Sequence, residues 1–149
     1  MPNYQGHMVG GLCAYALLLL ISGVPESITT AVHWFVWCIL GSLFPDIDTT
    51  SKGQKIFYRL VFLFLVILLI QQQGEFFILL SLTALIPFVV RHRGVFHRIW
   101  FLVLFVGMLY VIGVSAFPWV HGNVMMWNMI FFFAGVVSHL LLDGGVRRL

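Results

Sequence analysis

The chain has 149 residues, of which 61% are apolar and only 9% charged, against about 25% charged in an ordinary soluble domain. So small a polar complement cannot coat a water-soluble domain of this length, and the bilayer is the expected solvent for what length allows as a single domain, residues 1–149. A net charge of +3 without an extended basic patch excludes a nucleic-acid face and points to anchoring among membrane lipids.

Six apolar segments follow one another, each a predicted transmembrane helix. The first runs from Met8 to Val24 behind His7; no Lys or Arg precedes it and no small-x-small cleavage pattern follows, so it is expected to be a permanent span. The second, Ile28 to Phe44, is closed by Pro45, which disfavours helix at Phe44 and turns Asp46 and Asp48 out of the bilayer. The third and fourth, Ile56 to Ile70 and Phe76 to Val90, are the shortest, below the usual minimum of about 17 residues for a core of roughly 30 Å, so they should borrow polar residues at their edges. The fifth, Val95 to Phe117, begins in a run carrying His92, Arg93 and His97, and the sixth, Val124 to Leu142, ends with His139 and Asp143. Continuous apolar runs without inward-polar alternation fit helices and exclude a β-barrel. The expected fold is an all-α integral membrane bundle of six helices, or of four if the third and fourth segments form a re-entrant pair.

With six crossings, all eight basic residues (Lys52, Lys55, Arg59, Arg91, Arg93, Arg98, Arg147, Arg148) fall on the face that holds both termini. The positive-inside rule makes that face cytoplasmic, in an inner membrane. Cys13 and Cys38 lie in apolar runs without zinc-site spacing and read as reduced packing residues. Gly10, Gly11, Gly107 and Gly113 suit close helix contact. His33 and His121 belong to the opposite face and read as incidental.

The same parity gathers His7, Asp46, Asp48, His92, His97, His139 and Asp143 on the cytoplasmic face. His139 and Asp143, at i and i+4, share one helical face and can reach one ion. His92 and His97 are five apart, roughly 500° of helical rotation, so Gly94 is expected to break the segment between them. Asp143 at a helix carboxyl end is opposed by the macrodipole and implies a compensating cation, either a metal or Arg147 or Arg148. Mixed His and Asp ligands suit a divalent metal such as zinc or manganese, as one ion or as two about 3.5–4 Å apart. Asp48 is the expected general base and Arg93 the group that stabilises developing phosphoryl charge.

Taken together, Gly6-His7, Pro45-Asp46-Ile47-Asp48, His92-Arg93-Gly94-x-x-His97 and Ser138-His139-x-x-x-Asp143 make the chain resemble the YdjM-like family of LexA-regulated, membrane-bound proteins named for predicted metal-dependent hydrolysis. The resemblance covers nearly the whole chain. It implies a multi-span helical protein with a metal site at the seven polar positions above, and it supplies no substrate; location at the headgroup level suggests a lipid phosphoester or another amphipathic ester. A histidine-nucleophile lipid phosphatase also ends in His-x-x-x-Asp, but it requires an arginine where Phe133 stands. A divalent-metal carrier would need polar groups near the midplane, where only Ser81, Thr83 and Asn128 occur. A non-catalytic membrane scaffold is the remaining alternative.

Overall fold

The computed structural model describes residues 3–23, 25–47, 52–89, 98–116 and 122–144. They form six α-helices, α1 Tyr4–Ser22, α2 Ile28–Leu43, α3 Lys52–Ile70, α4 Gly74–Val89, α5 Ile99–Ala116 and α6 Gly122–Leu142, with a 3-10 turn Phe44–Asp46 after α2. No strand occurs among the described residues. Each helix matches one expected segment to within a few residues, and the short third segment reaches 19 residues by starting at Lys52. Among the described residues, four stretches are long and apolar enough to cross a membrane: Tyr4–Ser22, Ile28–Asp46, Lys52–Ile70 and Gly122–Leu142. The apolar parts of α4 and α5, Gly74–Leu85 and Ile99–Ser115, are shorter. The chain is therefore an all-α membrane bundle.

Its outer surface follows from that solvent. Leu20, Ile21, Ile70 and Leu104 are largely exposed, an arrangement that would drive association in water but matches hydrocarbon. Lipid tails are as apolar as leucine, so burial in a membrane adds little hydrophobic drive, and helix packing must come from close van der Waals contact and hydrogen bonds. The bundle centre shows this where α2 meets α6. A Cβ built on Gly41 would overlap the Phe132 carbonyl, and one on Gly135 would overlap the Cys38 carbonyl, so only glycine permits this backbone contact. Gly11 brings α1 against α2, since a Cβ there would lie 2.7 Å from the Ser42 hydroxyl. Gly10 and Gly113 sit in similarly close contacts, but Gly107 does not: a Cβ there meets nothing within 4 Å, against the expectation of close packing. Aromatic rings fill the remaining interior, with Phe44 stacked on Phe105 at 5.0 Å and Trp37 edge-on to Phe132 at 6.0 Å.

The two cysteines divide. Cys38 is buried and its thiol donates to the Gly11 carbonyl at 3.3 Å, whereas Cys13 is exposed on α1, a correction to its expected interior packing role. At the end of the bundle where α3 turns into α4, Gln72 adopts φ 55° and the amides of Gln72 and Gln73 donate to the Leu69 and Leu68 carbonyls, closing α3 with a left-handed cap. His33 reaches that turn: its Nε2 lies 3.2 Å from Gln71 Oε1 and its ring stands edge-on to Phe64 and Phe76. These contacts give His33 a packing role far from the opposite end of the bundle.

Candidate functional site

Three chain segments meet at the end that holds the start of α1 and the ends of α2 and α6. Asn3 caps α1 by accepting from the Gly6 amide at 3.2 Å, which fixes the first turn and leaves His7 on the face turned into the bundle, buried. Pro45 cannot continue the α2 hydrogen-bond ladder, so the chain tightens into the 3-10 turn, with the Ile47 amide donating to Phe44 at 3.2 Å. The turn presents Asp46, and Gln54 Nε2 anchors its exit by donating to the Ile47 carbonyl at 2.9 Å. Just beyond α6, Gly144 turns the chain away with a φ of 67°, which is left-handed and favours glycine. The Asp143 amide still donates to the His139 carbonyl at 3.0 Å, so Asp143 stays in helical register one turn beyond His139.

The four side chains converge. His7 Nε2 is 3.4 Å from Asp143 Oδ1 and 4.0 Å from Asp46 Oδ2. His139 Nε2 is 3.4 Å from Asp143 Oδ2 and 3.6 Å from Asp46 Oδ1. The two imidazoles are stacked, with centroids 3.8 Å apart and planes 18° from parallel. His7, His139 and Asp143 each offer a ligand atom, and those atoms lie within 4.8 Å of one another. His139 Nδ1 is 2.8 Å from the Ser42 carbonyl oxygen. A carbonyl only accepts, so Nδ1 carries the proton, which leaves Nε2, the nitrogen that faces the carboxylates, as the ring atom a metal would take. Ser42 belongs to the last turn of α2, where carbonyls are released from the helical ladder. The Gly41 and Gly135 contact brings it within reach of α6.

His7, Asp46, His139 and Asp143 are thus brought together from opposite ends of the sequence. Asp48, His92, Arg93 and His97 lie outside the described residues, as do His121, Arg147 and Arg148. The sequence reading missed the Ser42 carbonyl, a backbone acceptor that no residue type announces, and the Gly41–Gly135 pair that delivers it. A small residue on each of two apolar helices is the signal that could have found the pair.

Comparison with known families gives a match over nearly the whole chain: the model of the YdjM inner membrane protein family aligns with residues 1–147. The chain belongs to that family and is a multi-pass inner membrane protein. No curated protein and no solved structure matches it.

Proposed function

We propose that this member of the YdjM family is a metal-dependent hydrolase that acts at the cytoplasmic membrane interface on an amphipathic ester, with a lipid phosphoester as the favoured class. One observation carries the reading: two imidazoles and two carboxylates from three separated segments meet with nitrogen-to-oxygen distances of 3.4–4.0 Å at one end of the bundle. Ligands bound at about 2.0–2.1 Å around a tetrahedral zinc are spaced by about 3.3–3.4 Å, so the shorter contacts are already near coordination spacing. The donor set of neutral nitrogen and carboxylate oxygen suits zinc or manganese.

A divalent ion held there supplies Lewis-acid polarisation of the phosphoryl or acyl oxygen and activation of water. This chain's residues do the rest. Ser42 holds His139 in the ligating tautomer, and Asp143, with its side chain 6% exposed at a helix carboxyl end, is an anion placed where a cation is required. His92, His97 and Asp48 complete the ligand set, Asp48 takes the proton from the attacking water, and Arg93 contacts the anionic oxygens of the substrate. Both termini are cytoplasmic in this proposal, so the site meets lipid headgroups from inside.

The test is turnover of phospholipids and generic phosphoesters in mixed micelles supplied with zinc or manganese. Asp48→Asn and Arg93→Ala should each reduce the rate by about a hundredfold or more, the scale for loss of a general base or a charge-stabilising donor. Metal-loaded protein without turnover that these substitutions alter would replace the enzyme reading with that of a metal-binding or metal-transporting membrane protein.

A further inference from the structure

The pairing of atoms within the cluster says more than its composition. Each carboxylate divides its oxygens between the two histidines: Asp143 sets Oδ1 against His7 and Oδ2 against His139, both at 3.4 Å. Asp46 repeats the division, with Oδ2 4.0 Å from His7 and Oδ1 3.6 Å from His139. We infer that the site holds two divalent cations, one at His7 and one at His139, bridged by Asp46 and Asp143. The inference rests on the metal-binding reading above and adds the number of ions and the role of each carboxylate.

A single ion shared by the histidines fits poorly. An imidazole nitrogen donates along a lone pair in its ring plane, and the two stacked planes are only 18° from parallel, so a single ion near both nitrogens would lie off the plane of at least one ring. An ion placed between rings whose centroids are 3.8 Å apart would bind away from the ring planes and not along the lone pairs. Two ions, each in its own ring plane, avoid this. Rings whose centroids are 3.8 Å apart leave room for neighbouring ions at the separation of about 3.5–4 Å typical of two-metal hydrolytic sites. Each ion receives three atoms from the described residues, one nitrogen and two oxygens.

The experiment is metal stoichiometry by plasma mass spectrometry on detergent-purified full-length protein loaded with zinc and passed through gel filtration. Two zinc ions per chain are expected. One per chain overturns the two-ion site and leaves the metal reading standing; none overturns both. His7→Ala should lower the content from two to one in protein that still elutes as folded, and a folded variant retaining two overturns the assignment. Spectroscopy of the unsubstituted protein loaded with manganese covers the case in which the variant does not fold. A bridged pair gives a spin-coupled spectrum unlike that of an isolated ion, whereas the spectrum of isolated manganese at saturation overturns the inference.

Discussion

Replacing Gly135 by alanine should pry α6 away from α2 and disable the cluster one turn below. A Cβ at this position would lie 2.7 Å from the Ser42 amide nitrogen and closer still to the Cys38 carbonyl, where ordinary contact begins near 3.4 Å. The helices must therefore separate locally by at least about 0.7 Å, the gap between that distance and ordinary van der Waals contact. The same shift would stretch the His139 Nδ1 to Ser42 contact from 2.8 Å to about 3.5 Å, beyond a useful hydrogen bond. Overpacking costs about 1–3 kcal/mol and a buried donor without its acceptor about 1–3 kcal/mol, so a loss of about 2–6 kcal/mol is expected. The measurement is thermal unfolding in detergent, paired with bound zinc, against Gly107→Ala, whose Cβ meets nothing within 4 Å and which should be neutral. Equal melting and equal zinc content for Gly135→Ala and Gly107→Ala would refute the claim that the glycine contact positions His139.

Asn128 is buried in α6, and neither amide atom has a hydrogen-bond partner among the described residues, so Asn128→Leu should stabilise the protein by about 0.5–2 kcal/mol in thermal unfolding. A lower melting temperature would show that the amide is paired in the membrane. For topology, in a Cys13→Ser background, cysteine at exposed Asn123 should react with an impermeant reagent from outside whole cells, and cysteine at exposed Lys52 only after permeabilisation. Labelling of both from one side would overturn the arrangement of the termini.

Six helices and their approximate ends were readable because apolar runs, Pro45 and the polar turns each act locally. Membership of one cluster by His7, Asp46, His139 and Asp143 was readable for a different reason: alternating crossings carry those four to one face whatever the side-chain packing. The division of each carboxylate between two stacked imidazoles was not readable, because it depends on how α1, the 3-10 turn and α6 lie against one another. That disposition is set by the close contacts at Gly11, Gly41 and Gly135. Glycine also misled, since Gly107 looks identical in sequence to Gly113, yet a Cβ at Gly113 would meet Met125 at 2.6 Å and one at Gly107 meets open space. Cys13 failed in the same way: an apolar helix does not reveal from composition which side faces lipid.

Asp143 lies against both histidines, so it offers the most direct single measurement: zinc retained after detergent extraction and gel filtration by unsubstituted protein, Asp143→Ala and His33→Ala. His33 is held by Gln71 at the far end of the bundle and serves as the control. Zinc should be retained by the unsubstituted and His33→Ala proteins and lost from Asp143→Ala, with a lower melting temperature where the metal is lost, because an ion bound only by the folded state stabilises it. Equal zinc in all three proteins would contradict a metal site built on His7, Asp46, His139 and Asp143.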